Sequence, residues 1–281
     1  MQIKKLGVLG CGQMGSGIAQ VGAMAGCEVV VVDAYPDSLE RAKNNIANSL
    51  KKLAEKGKVL DPADVLKKIS LSTDKNKLKS SDFVVEAVTE EEALKFKLFA
   101  ELDILCEPKT CLATNTSSIS ITRIAGKTKR PEKVIGMHFM NPVPLMDLVE
   151  IIRGLQTSDE TYQATKELAE AMQKTTVLSK DSAGFIVNRI LVPMINEAIY
   201  TLYQGIGSVE DIDKAMKLGT HQPMGPLTLA DFVGLDTVLS ILEVFHESFG
   251  DKFKPCPLLK QYVDAGWLGR KTGRGFYTYH A

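Results

Sequence analysis

Residues 3–9, IKKLGVL, end in an apolar stretch that stops at Gly10, and the segment from Met14 to about Gly26 reads as a helix. Glu28–Asp33, EVVVVD, follows and is nearly all valine. A continuous β-branched run predicts a strand buried on both faces, as in a parallel sheet. Strand, helix and strand in that order make a βαβ unit with a right-handed crossover. A helix is predicted over 36–57, with Pro36 in its first turn and Gly57 as its stop, and Asp61-Pro62 opens a short one. Further strands are expected at 69–72, 83–88, 110–114, 134–139, 148–152 and 176–178, with helices at 90–105 and 159–174. From Gly184 onward the pattern is helical, at 185–204, 208–218, 226–232, 234–249 and 257–265, with hardly any strand. The small, polar segment 179–184, SKDSAG, is the natural linker. The expected organisation is an α/β domain over 1–183 followed by an all-helical domain over 184–281.

Length and composition agree with two domains. The chain has 281 residues, and roughly 150 residues per domain is the usual prior. Lys+Arg 34 balance Asp+Glu 34, which argues against a dedicated nucleic-acid binder but leaves room for a local basic patch. Cys11, Cys27, Cys106, Cys111 and Cys256 form no C-x-x-C pair, the usage of reduced thiols in a cytosolic setting. The N-terminus, MQIKKLGVLG, runs straight into a strand and leaves no room for a signal peptide. No apolar run approaches the ~20 residues of a membrane span. A cytoplasmic chain without membrane attachment is expected, and no metal site.

The turn between the first strand and helix carries chemistry. Gly10-Cys11-Gly12-Gln13-Met14-Gly15 fits G-x-G-x-x-G. The motif is weak alone, but here it follows a strand, opens a helix and precedes a second strand ending in Asp33. That is the setting of a Rossmann-type, doubly wound and mostly parallel sheet. Gly10 permits the tight turn, Gly12 lets the backbone approach a pyrophosphate, and Gly15 allows close helix–strand packing. The helix N-terminus then offers free N–H groups to phosphate. Asp33 is suited to an adenosine ribose and repels a 2′-phosphate, and no arginine follows it directly, so NAD is expected rather than NADP.

Hydride transfer is the leading chemistry of a bound dinucleotide. His138 ends the apolar strand VIGMHF, where open α/β sheets place their ligands. Glu150 lies in the next strand, LVEII, among apolar neighbours. A buried carboxylate needs a partner, and with His138 it forms a base oriented by an acid. Thr114-Asn115-Thr116-Ser117-Ser118 is a polar cluster after the strand TCLAT. Its hydroxyls fit a substrate oxygen or, equally, a helix N-cap before Ile119. Asn188, in an apolar helix close to the linker, is either an interhelical hydrogen bond or a ligand contact.

These residues sit within GCGQMGSGIAQ, VVEAVTE, TNTSS, GMHFMNPVPLMDLVE, KDSAGFIVNR, MKLGTHQPMGPLTLADFVGLD and GRKTGRGFYTY. Taken together they resemble the L-3-hydroxyacyl-CoA dehydrogenase family over essentially the whole chain. The resemblance implies that His138 is the catalytic base, held by Glu150, and that Ser117 and Asn188 contact the substrate's reactive oxygens. It implies NAD contacts from the loop residues Gly10, Gly12, Gln13, Met14 and Gly15, and from Asp33, Ala87, Glu90, Lys95, Asn115, Ser117, Asn141 and Lys271. It places coenzyme A contacts at Ser49 and Lys56, on a lysine-rich helix that otherwise reads as a solvated face. The substrates implied are short-chain acyl-CoA thioesters, acetoacetyl-CoA and 3-hydroxybutyryl-CoA, and the assembly is a homodimer or higher homo-oligomer through the helical domain. A related sugar-acid dehydrogenase would share the cofactor and the His–Glu pair but not the dependence on CoA. A catalytically idle NAD-binding protein would bind the cofactor without turnover.

Overall fold

The computed structural model describes residues 3–279. The chain divides into two compact units, Met1–Ser182 and Ala183–Ala281. The first is built on eight strands: β1 (Lys5–Leu9), β2 (Glu28–Val32), β3 (Ile69–Ser72), β4 (Phe83–Glu86), β5 (Cys111–Thr114), β6 (Val134–Phe139), β7 (Leu148–Arg153) and β8 (Thr175–Lys180). They form one sheet in the order β3-β2-β1-β4-β5-β6-β7-β8. Every neighbouring pair is parallel except β6 and β7, which run antiparallel. The doubly wound order requires crossovers, supplied by α1 (Gln13–Met24), α2 (Pro36–Glu55), α3 (Pro62–Lys67), α4 (Glu92–Leu105), α5 (Ile121–Ala125) and α6 (Asp159–Ala171).

The valine run folds as its composition dictates. Val29, Val31 and Val32 of β2 are buried beside Leu6 and Val8 of β1. α2 buries Leu39, Ala42, Ile46, Leu50 and Leu53, an apolar stripe at helical spacing facing the same core. Side-chain caps fix the starts of α3 and α6: Asp61 accepts from the Ala63 and Asp64 amides, and Ser158 from the Thr161 amide.

Several boundaries differ from the sequence reading. The strand expected to reach Val88 ends at Glu86, whose own carboxylate captures the Val88 amide at 2.7 Å and turns the chain. The helix expected from Glu90 begins at Glu92. No helix is capped by the Thr114–Ser118 cluster; the cap of α5 is Ser120, whose hydroxyl accepts from the Arg123 amide. β8 runs to Lys180, into the segment read as linker.

The second unit holds α7 (Val187–Tyr203), α8 (Val209–Gly219), α9 (Pro226–Val233), α10 (Leu235–Phe249) and α11 (Pro257–Asp264). α7 begins after the expected residue 185 because Phe185 has a φ of 51°, outside the right-handed helical region. Ile195, Ile199, Leu227, Leu235, Val238, Leu242, Phe245 and Leu259 form its core. Its C-terminal segment is stapled by a buried acid. Asp231 accepts from the Phe276 and Tyr277 amides, each at 2.9 Å, and from the Tyr279 hydroxyl at 3.0 Å. Among the described residues no helix is long and apolar enough to cross a membrane.

Candidate active site

The glycine loop joins β1 to α1. Gly10 has a φ of +97°, and a Cβ there would lie 2.7 Å from the Ala87 carbonyl oxygen. A Cβ on Gly15 would collide with the Gly10 carbonyl oxygen. Gly12 is different: nothing lies within 4 Å of its missing Cβ, so the backbone there is open to a ligand. Next to it lies a cavity of about 480 Å³ lined by Gly10, Gly12, Asp33, Tyr35 and Ala87 among others, within the usual size range for small-molecule sites. Asp33, just past β2, is aimed by two amides: Cys11 N donates to Oδ2 at 2.9 Å and Tyr35 N to Oδ1 at 3.0 Å. An exposed backbone cradle beside a fixed carboxylate fits a pyrophosphate and its ribose. Burial, then the hydrogen bond to and charge of Asp33, push the Cys11 thiol up to about 12. It therefore stays protonated and unreactive at neutral pH. Gln13 is exposed, and Met14 packs against the core.

At the carboxyl ends of β4 and β5 lies a polar network that sequence reasoning found only in part. Glu86, 0 % exposed, pairs with Lys95, 1 % exposed, at 2.6 Å. Its other oxygen accepts from Thr114 Oγ1 at 2.7 Å. Lys95 also reaches Glu90 at 3.5 Å, so its ammonium is turned to two carboxylates. Glu90 Oε1 in turn accepts from Thr116 Oγ1 at 2.6 Å, from Ser117 N and Oγ at 2.8 and 3.1 Å, and from Ser118 N and Oγ, each at 3.1 Å. The serine loop is thus folded around one carboxylate. Glu86 was missed, although an acid inside the apolar run FVVE carries the same signal that singled out Glu150. Asp181 was also missed: it accepts from Ser120 Oγ, Ile121 N and Thr122 N at 2.7, 3.0 and 2.8 Å, and anchors the helix after the serine loop from the end of the unit.

Burial opposes ionisation of Glu90, but the Lys95 charge and the hydrogen bonds from Thr116, Ser117 and Ser118 outweigh it and hold its carboxyl below the usual 4.5. A depressed folded value stabilises the fold above the unfolded pKa, and that contribution disappears as pH falls through the folded one. The melting-temperature advantage of the parent over Glu90→Gln is therefore expected at neutral pH and closes below pH 4.5. A gap of constant size down to acid pH would show that the Glu90 charge does not hold the loop.

The antiparallel pairing of β6 with β7 sets His138 directly opposite Glu150. His138 Nδ1 stands 2.8 Å from Glu150 Oε2, with His138 7 % and Glu150 0 % exposed. A carboxylate only accepts, so Nδ1 carries the proton and the proton-exchanging role falls to Nε2. Asn115 braces the neighbouring strand end, its Oδ1 accepting from Phe139 N at 2.9 Å and its own amide donating to Glu86 O at 2.8 Å. Parallel β1, β4, β5 and β6 bring the glycine loop, the Glu86 network, Asn115 and His138 to the same edge of the sheet, where open α/β sheets bind ligands.

Ala87 donates its amide to Leu9 O at 2.7 Å, beside the glycine loop. Asn141 is exposed and precedes a cis peptide bond to Pro142. Ser49 is half-buried on α2 and lines a second cavity, whereas Lys56 is exposed at the end of that helix. In the helical unit, Asn188 is half-buried in the first turn of α7. Lys271 is ion-paired to both oxygens of Asp236 at 2.6 Å.

Known proteins resemble the chain end to end. Residues 5–182 match the 3-hydroxyacyl-CoA dehydrogenase NAD-binding domain, and residues 184–279 match the C-terminal domain of the same family. A 3-hydroxybutyryl-CoA dehydrogenase of Bradyrhizobium diazoefficiens is 54% identical over 280 residues, covering 99% of this chain and 96% of that protein. A probable 3-hydroxybutyryl-CoA dehydrogenase of Bacillus subtilis is 54% identical over 282 residues, covering 99% and 98%. The crystal structure of (S)-3-hydroxybutyryl-CoA dehydrogenase from Ralstonia eutropha superposes with a TM-score of 0.96 at 47% identity, covering 100% of both chains. With both family domains present, the chain belongs to the 3-hydroxyacyl-CoA dehydrogenase family of NAD-binding oxidoreductases.

Proposed function

We propose that the chain interconverts (S)-3-hydroxybutyryl-CoA and acetoacetyl-CoA, with His138 as the general acid and base. The observation that carries the reading is the buried His138–Glu150 pair on the ligand-binding edge of a dinucleotide-binding sheet. The names of the full-length relatives support the substrate. In the oxidative direction His138 takes the proton of the 3-hydroxyl at Nε2, while the C3–H bond gives up its hydride and the C3–O bond becomes a carbonyl. Bound NAD supplies the hydride acceptor, and NADH the donor in reverse. Glu150, accepting from Nδ1, holds the ring in one tautomer with Nε2 free to exchange the proton. In the reductive direction His138 returns the proton to the developing alkoxide.

The proposal retains the family's substrate contacts at Ser117, Asn188, Ser49 and Lys56. It retains dinucleotide contacts at Gly10, Gly12, Gln13, Met14, Gly15, Asp33, Ala87, Glu90, Lys95, Asn115, Asn141 and Lys271. It includes a homodimer through the helical unit and a cytoplasmic location. The 1–183 and 184–281 parts carry the cofactor and assembly roles respectively.

The test follows NADH absorbance with acetoacetyl-CoA, with NADPH and free acetoacetate run in parallel. Rapid turnover confined to NADH and the thioester is expected. Turnover mainly with NADPH would overturn the role given to Asp33. Binding of NADH without turnover of the thioester would overturn the substrate.

A further inference from the structure

Lys95 and Lys174 are both buried in the first unit. Lys95 faces two carboxylates, Glu86 and Glu90. Lys174, 7 % exposed between α6 and β8, is paired with no carboxylate among the described residues. Its ammonium donates instead to two backbone oxygens, Val143 O at 2.7 Å and Met146 O at 2.9 Å. We propose, resting on the reading of His138 above, that Lys174 is a positioning residue for the reaction, and that it acts by holding the 140–147 loop in place beside His138.

The loop joins the strands of the proposed catalytic pair. It leaves β6 just after His138 and enters β7 just before Glu150, at the sheet edge where the ligands are expected. Asn141, Pro142, Leu145, Met146 and Asp147 are exposed, so the loop has little packing of its own to fix it. Val143 is its plug. It is 1 % exposed and lies against α1 at Gly17, where a Cβ would stand 2.7 Å from Val143 Cβ. Pro142 O accepts from Leu145 N at 2.9 Å and from Met146 N at 3.0 Å, which folds the chain back on itself. Lys174 ties this turn at both ends, at the plug and at the exposed Met146. The lysine is fixed in turn, because Thr175 N donates to Asp147 O at 2.7 Å where β8 begins to pair with β7.

Taking an ammonium out of water is unfavourable. Burial draws that of Lys174 below its usual 10.5, with the charge of Asp147 opposing the shift and that of Lys58 adding to it. An apolar side chain would fill the same space without that penalty. What the ammonium adds is several donors at one point, and two of them close the loop. Asn141 and the side chains of Leu145 and Met146 move with the carbonyls it holds. A shift of about 1 Å in groups that place the reactants costs on the order of 10²-fold in rate, so a residue that touches neither reacting atom can still govern turnover.

The experiment uses Lys174→Met, which keeps an unbranched side chain, removes the donors and strands no charge. Counted per NADH-binding site, kcat for acetoacetyl-CoA reduction should fall roughly 10- to 100-fold. NADH affinity should stay near that of the parent, since the glycine loop and Asp33 stand on β1 and β2. Hydrogen exchange followed by mass spectrometry should quicken in peptides spanning 140–147 and not in those of β6 and β7. Unchanged exchange in the loop would show that the lysine does not hold it and would overturn the proposal. Faster exchange with the kcat of the parent would also overturn it, by making the tie purely structural. So would a loss of kcat with faster exchange throughout β6 and β7, which is general destabilisation. If the parent itself reduces no acetoacetyl-CoA, the substrate reading fails, and faster exchange confined to the loop still supports the part given to Lys174.

Discussion

Replacing His138 by alanine lowers kcat for acetoacetyl-CoA reduction by about 10²- to 10⁴-fold, the usual worth of a positioned general acid, while NADH still binds. The expectation follows from position. His138 stands on β6, whereas the glycine loop and Asp33 that fit the dinucleotide stand on β1 and β2, so the two functions are separable. Truncation also takes from Glu150 a buried hydrogen bond of 2.8 Å, and the stability cost of about 1–3 kcal/mol for such a loss must be kept apart from the kinetic one. His138→Asn serves that purpose, since its side-chain nitrogen matches the place of Nδ1 and can donate to Glu150 yet cannot exchange a proton near neutral pH. Alanine and asparagine variants should therefore differ in melting temperature and agree in their loss of kcat. NADH binding is read by fluorescence and turnover by steady-state kinetics. Turnover within threefold of the parent in the asparagine variant would falsify the acid–base role, since roughly 10²-fold is the least that role predicts.

The parts of this site that were legible in the sequence are those in which one residue type has one use. The glycine loop was readable because its three glycines answer separate needs, a tight turn at Gly10, an open backbone at Gly12 and close packing at Gly15, and Gly15 shows it most directly, with the Gly10 carbonyl where a Cβ would be. The valine run gave the parallel sheet because burial on both faces leaves no polar alternation. His138 and Glu150 could be paired because both lie in apolar strands, where a polar side chain needs a partner. What the periodicity did not supply was the direction of β7. Only residues 140–147 separate it from β6, too few for a crossover, and so the pair is antiparallel. That reversal is what brings His138 opposite Glu150. The clamp on α5 was hidden for another reason. Asp181 reaches Ser120 across 61 residues, and no local pattern signals a contact of that range. Lys95 was assigned to the dinucleotide by resemblance, whereas its immediate partners are Glu86 and Glu90.

Those partners make Lys95 the second position where one substitution should have a large effect. Lys95→Met removes the ammonium 2.6 Å from Glu86 in a place where the two side chains are 1 % and 0 % exposed. Breaking a buried ion pair by deleting one member costs about 3–5 kcal/mol, because the survivor's charge stays out of water. Glu86 keeps donors from Thr114 Oγ1 and Val88 N, each at 2.7 Å, and these soften the loss without replacing the charge. Without the ammonium, the Glu86 carboxylate is left buried with no counter-charge. Glu86→Gln combined with Lys95→Met should be less destabilised at neutral pH than Lys95→Met alone, because no buried carboxylate remains and the amide oxygen still accepts from Thr114. Denaturant unfolding of the single and the double variant at neutral pH checks this. A cost for Lys95→Met that is no smaller in the double variant would mean that the methionine fails on packing and that the buried charge is not what the lysine is there to balance.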